Sequence, residues 1–140
     1  MVFPEILPPD TWHATPLACI DQVVAVGLNS ITVRKTLASN ELFFQGHYPH
    51  QPVFPGIFLF ETIHQAVSHH ARIYHRKVRL VRIKKMRFFH PLKPGDYFEC
   101  NCMFTTIPDD NMLLHVTGEC LKDDKEIAKA EVFFRLGKSP

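Results

Sequence analysis

Residues 55–75 read PGIFLFETIHQAVSHHARIYH, about twenty positions with no proline or glycine after Gly56. That length favours a helix over a strand. Pro55 suits a first helical position, where the missing N–H is an orphan donor in any case. The first three turns are apolar nearly all round, which marks a helix buried inside a domain rather than lying on it.

The segments on either side read as strands. Residues 17–27 and 31–39 are rich in Val, Ile, Leu and Thr around G-L-N-S, a strand–turn–strand hairpin. After the helix the apolar period drops to two. Phe98, Cys100, Cys102 and Phe104 alternate with polar residues in 96–107. Leu114, Val116, Gly118 and Cys120 do so in 112–121, and Ala128, Ala130, Val132, Phe134 and Leu136 in 126–136. Turn-like P-D-D-N and K-D-D-K separate these three, so they form an antiparallel meander. Residues 78–89 supply another strand, ended by H-P-L-K-P-G-D. The order is strand, strand, buried helix, then four strands: one antiparallel sheet wrapped around one helix, an α+β fold.

Size and composition narrow the functional classes. The 140 residues make a single domain, 1–140, able to bury a core. A formal charge of +2 is too small to argue for nucleic acid. The N-terminus lacks a basic region followed by an apolar run, so it does not read as a secretory signal. Apolar runs stop well short of a membrane span. The expectation is a cytoplasmic chain with no membrane partner, and its four cysteines (Cys19, Cys100, Cys102, Cys120) are read as reduced and structural. Cys100 and Cys102, two apart on one strand, would hold their Cα atoms roughly 6.5–7 Å apart, unfavourable for a disulfide.

Two residues carry candidate chemistry. The stretch before the helix, F-F-Q-G-H-Y-P-H-Q-P-V-F-P-G from Phe43 to Gly56, is stiffened by Pro49, Pro52 and Pro55 around His47. A fixed neutral imidazole is the usual general base at neutral pH. Glu61 interrupts the apolar run of the helix, where a carboxylate must be paired or kept neutral by desolvation. A protonated carboxyl facing a base can donate one proton while another is removed. Taken singly, a loop histidine is commonly a surface residue and a helical glutamate commonly reaches solvent. Glu61 and His64 form one E-x-x-H, whereas a di-iron bundle needs two. The helix histidines 64, 69, 70 and 75 include no i,i+4 pair, so no metal site is expected.

The same residues carry a family resemblance. F-F-Q-G-H-Y-P-H-Q-P-V-F-P-G-I-F-L-F-E-T-I-H-Q-A resembles the active-site segment of the β-hydroxyacyl-ACP dehydratases of the FabZ/FabA type, F-F-x-G-H-F-P-G-x-P-x-M-P-G followed by an apolar helix near E-x-M-x-Q. H-A-T-P-L-A-C-I-D-Q-V (13–23) is similar to that family's first strand. K-K-M-R-F-F-H-P-L-K-P-G-D (84–96) is similar to its K-x-R-F-x-x-P-V-x-P-G-D. The resemblance spans most of the chain and implies a hotdog fold.

It also implies a mechanism. His47 takes the α-proton of a 3-hydroxyacyl thioester and Glu61 protonates the departing hydroxyl. The N–H of Gly56 binds the thioester carbonyl, the carbonyl of Val53 orients the histidine, and Gln65 supports the carboxyl. Tyr48, Phe54, Phe58 and His64 fall on the acyl tunnel, and His64 also reads as a satisfied core histidine. Three positions depart from the pattern: His50 replaces a glycine, Phe54 a methionine and His64 a small apolar residue. The tunnel should therefore differ in width and polarity, and a polyene or polyketide intermediate, flatter and stiffer, is a plausible substrate beside a fatty acyl chain. No metal or redox cofactor is implied, the substrate being carried on the phosphopantetheine of an acyl carrier protein. The partners implied are that carrier and a second hotdog subunit, identical or not, in a dimer or an oligomer of dimers. Arg72, Arg76, Lys77, Arg79, Arg82, Lys84, Lys85 and Arg87 form a run of eight cations with no acid among them. This run is read as a docking patch for an acidic carrier, or more simply as a solvated strand edge. The competing functions are a hotdog thioesterase and a non-catalytic carrier-binding subunit.

Overall fold

The computed structural model describes residues 5–6, 19–37 and 56–138. Along the chain these form β1 (Glu5–Ile6), β2 (Gln22–Gly27), β3 (Ser30–Thr36), α1 (Gly56–Ile73), β4 (Arg76–Phe88), β5 (Tyr97–Ile107), β6 (Asp110–Lys122) and β7 (Lys125–Lys138). The strands make one antiparallel sheet in the order β1-β2-β3-β5-β6-β7-β4. This is the expected α+β hotdog arrangement, with β1 a short addition at the far edge.

Period-two patterning decides which face meets the helix. Phe98, Cys100, Cys102, Phe104, Leu114, Val116, Cys120, Ala128, Ala130, Val132 and Phe134 are all buried, in one cluster with Leu59, Phe60, Ile63, Ala66 and Val67 of α1. Asp123 and Asp124 of the K-D-D-K turn adopt left-handed backbone (φ 49° and 63°). Aspartate tolerates that region, and a two-residue hairpin turn of matching twist requires it. Gly118 is where the helix comes closest to the sheet. A Cβ there would lie 2.7 Å from Cδ1 and 3.0 Å from Cγ1 of Ile63. Gly118→Val should therefore destabilise the fold by about 1–3 kcal/mol through overpacking. Chemical denaturation reads this directly, with much of the loss recovered in an Ile63→Ala background. An unchanged midpoint would mean the helix is free to shift.

Two expectations need correction, and β4 lies where a solvated strand edge was expected. The cysteines are not all reduced: Cys100 and Cys120 form a disulfide, their Cα atoms 4.1 Å apart. They face each other directly in the β5–β6 register, on the inward face of both strands. Cys19 and Cys102 are buried thiols outside the disulfide, and burial pushes the Cys102 thiol up to about 12.

The helix is also not enclosed all round, for Ile57 is 63% exposed. Residues 57, 61, 64, 68 and 72 share one helical stripe, and none of them is buried. Between Leu59 and Ala71 every helix residue off this stripe is buried.

Finally, β4 is an edge strand exposed along almost its whole length. Two register shifts, at Leu80/Arg82 and Ile83/Lys85, break its alternation. The bulges keep Val78, Leu80, Ile83, Met86 and Phe88 opposite Leu136, Phe134, Val132, Ala130 and Ala128, on the helix side of the sheet.

Candidate active site

Glu61 stands on the uncovered stripe of α1, its side chain 28% exposed. It is neither fully desolvated nor loose, because partners on the next helical turn hold it. Gln65 Nε2 donates to Oε1 at 3.3 Å, and His64 Nδ1 lies 3.5 Å from Oε2. Residues three and four positions apart meet in this way on a helix surface.

Gln65 is itself fully buried, a costly position for an amide unless its groups are paired. The backbone of Cys19 supplies the pairing. Cys19 N–H donates to Gln65 Oε1 at 3.0 Å, and Thr62 Oγ1 donates to Cys19 O at 3.0 Å. The segment entering β2 is thus clasped across the helix at two points. That clasp fixes the orientation of the Gln65 amide, since its oxygen is committed to Cys19 and its NH2 group must face Glu61. Sequence reasoning singled out Gln65 but missed Thr62. The available signal was two uncharged polar residues, three apart, on an otherwise apolar helix face.

Gly56 opens α1. A Cβ at this position would lie 2.7 Å from Cε1 and 2.8 Å from Cζ of Phe88. Only glycine lets the Phe88 ring seat against the helix start, where backbone N–H groups and the dipole favour negative charge. Phe58 is partly buried against the core. His47, Tyr48, Val53 and Phe54 lie outside the described residues, so the expected general base, the carbonyl expected to orient it and half of the expected tunnel set are not placed.

The remaining described helix histidines are accounted for by packing. His70 hydrogen-bonds the carbonyl of Gly27 at 2.9 Å and packs against Phe104 and Tyr74, with ring centroids 4.5 and 4.9 Å away. Burial keeps it below the usual histidine range, against the opposing pull of the Gly27 and Leu28 carbonyls. His69 is lowered to about 4, by burial first and then by the nearby Arg72 and His70. Both are therefore neutral at pH 7.

The bulges of β4 sort the cationic run. Lys77, Arg79, Arg82, Lys85 and Arg87 pair with Gly137, Arg135, Phe133, Glu131 and Lys129, all on the face of the sheet turned away from the helix. Lys84 reaches the same face, 3.5 Å from Glu131, and Arg82 lies over the Phe133 ring at 5.4 Å. A hollow of about 310 Å³ opens there between Lys85, Arg87, Lys129 and Glu131. Arg76 falls on the other side by register, and Arg72 belongs to the helix stripe. Most of the run is thus gathered on one surface, across the sheet from Glu61.

Comparison with known proteins gives this geometry a family. The model of the ApeI dehydratase, or ApeI-like, family matches residues 24–130. The 3-hydroxyacyl-[acyl-carrier-protein] dehydratase FabZ of Campylobacter hominis is 33% identical over 137 residues, covering 91% of this chain and 90% of the relative. FabZ of Lactococcus lactis subsp. cremoris is 30% identical over 135 residues, covering 90% and 89%. Among solved structures, the dehydratase heterocomplex ApeI:P from Xenorhabdus doucetiae superposes with a TM-score of 0.61 at 19% identity, over 78% of this chain and 89% of that one. A hypothetical thioesterase from Streptococcus pneumoniae, solved with coenzyme A, superposes at 0.68 with 10% identity, over 84% and 90%. Dehydratases and thioesterases therefore share this fold, and the fold alone does not choose between them. Sequence does choose: with a model match across most of its length and FabZ relatives along nearly all of it, this chain belongs to the ApeI-like dehydratase family.

Proposed function

We propose that the protein is a 3-hydroxyacyl-[acyl-carrier-protein] dehydratase. The observation that carries this reading is the Glu61 carboxyl, held by Gln65 on the open stripe of α1 in a chain related to FabZ over 91% of its length. In the proposed reaction His47 removes the α-proton, and those bonding electrons form the C2–C3 double bond. The C3–O bond breaks as Glu61 gives its proton to the hydroxyl, and water leaves. The N–H of Gly56 steadies the thioester oxygen as charge develops on it. The carbonyl of Val53 orients His47, and the acyl chain runs along Tyr48, Phe54, Phe58 and His64. Electrons balance within the substrate, so an acid and a base suffice and no redox cofactor or metal enters the scheme. No described helix is long and apolar enough to cross a membrane, and the reading places the enzyme in the cytoplasm.

Incubation with a panel of (3R)-3-hydroxyacyl-carrier substrates tests the reading. Loss of water, read by mass spectrometry, supports it. Release of a free thiol identifies a thioesterase instead, and neither product points to a non-catalytic subunit.

The acidic carrier is proposed to dock on the cations gathered along β4. Reversing Lys77, Arg79 and Arg82 to Glu should raise KM for carrier-bound substrate several-fold and flatten its salt dependence, because steering acts on the charged partner. Turnover of a short pantetheine thioester should be unaffected. Equal losses on both substrates would remove the patch from the docking model.

A further inference from the structure

His64 stands where the dehydratase pattern has a small apolar residue, and its surroundings are specific. Its ring lies nearly parallel to Phe60 (3° between planes, centroids 6.2 Å apart) and to Phe134 (7°, 5.7 Å). Phe60 comes from the preceding helical turn and Phe134 from β7, so helix and sheet together fix the imidazole plane. On the edge of the ring, Nδ1 lies 3.5 Å from Glu61 Oε2. Like Glu61, His64 keeps about the same modest access to the open stripe, 29% against 28%. A histidine serving only as core filler would not need that alignment.

We propose that His64 is a positioning residue for the general acid: its Nδ1–H is aimed at Oε2 of Glu61 while Gln65 holds Oε1, so that the carboxyl is gripped on both oxygens by its own helix. The inference rests on the dehydratase reading and adds a residue to it. The physical consequence falls on turnover. A carboxyl gripped at both oxygens is restricted in rotation and presents its proton in a narrow range of directions. Both donors also bind a carboxylate more strongly than a neutral acid. Their hold tightens as the proton departs, so the gain is larger in the transition state than in the ground state. The 3.5 Å separation in the unliganded protein is compatible with this, since catalytic contacts commonly shorten once substrate is bound.

Three substitutions separate the polar contact from the packing. His64→Phe keeps a flat ring between Phe60 and Phe134 but has no donor. His64→Leu and His64→Asn are close in size to each other, and only the asparagine amide can reach the position of Nδ1. Loss of one hydrogen bond to a charged group should lower kcat about tenfold in the Phe and Leu variants, while KM reports separately on the tunnel wall that His64 lines. His64→Asn should recover most of that loss. Because Leu and Asn disturb the aromatic sandwich alike, the Asn-to-Leu kcat ratio remains diagnostic even if both variants are less stable. A ratio near one, or a Phe variant with wild-type kcat, overturns the assignment and leaves His64 as packing. Wild-type protein that dehydrates no substrate of the panel sinks the dehydratase reading itself and takes this inference with it.

Discussion

Glu61→Gln is expected to lower dehydration by about 10²–10⁴-fold, the usual contribution of a general acid or base, and His47→Ala to do the same. The glutamine variant is the sharper of the two experiments. It keeps the shape of the side chain and a hydrogen-bonding group toward Gln65, and removes only the proton that can be given to the leaving hydroxyl. Glu61 is only half-buried and lies outside the apolar cluster, so the melting temperature should hardly move. An unfolded Glu61→Gln protein would show that the carboxyl is structural. A folded variant with normal turnover would show that the acid lies elsewhere.

How much of this could be read in the sequence depended on whether a single element or its neighbours decided the outcome. The helix at 56–73 and the meander after it are each specified by their own periodicity, and they sit where the pattern puts them. The Cys100–Cys120 bond was not legible, although both cysteines fell on the inward face of their strands. Which residue of β6 opposes Cys100 depends on register, and register depends on the conformation of the turn after Ile107 rather than on any composition signal. The β4 segment hid its faces for a related reason. R-K-V-R-L-V-R-I-K-K-M-R-F has no clean period of two, because two bulges shift the alternation partway along. Only the cross-strand partners reveal that its cations from Lys77 onward share one face and that Val78, Leu80, Ile83, Met86 and Phe88 share the other. At the site, Glu61 and Gln65 could be singled out from sequence. The clasp of Thr62 and Gln65 on Cys19 joins residues more than forty positions apart, and no local pattern announces it.

The exposed apolar surface leads to the second large prediction. Ile57 on α1, Leu80, Val81 and Ile83 on β4, and Phe88 and Phe89 at its end are all exposed, and β4 presents a sheet edge that is unpaired among the described residues. Such an edge is a template for pairing with another chain, and Glu61 lies on the same uncovered stripe as Ile57. In the dehydratases that this chain resembles, one subunit supplies the loop histidine and the other the helix glutamate. A two-fold dimer closing over this surface would therefore build two composite sites. If so, His47→Ala and Glu61→Gln proteins, each inactive alone, should regain activity when denatured and refolded together. In every mixed dimer one site collects both substitutions and the other neither. Random exchange makes about half of the dimers mixed, and half of their sites are intact, so recovery should approach about a quarter of the wild-type rate. Each variant refolded alone sets the baseline. Mixed dimers confirmed by mass but still inactive would place His47 and Glu61 within one chain, or remove the pair from catalysis.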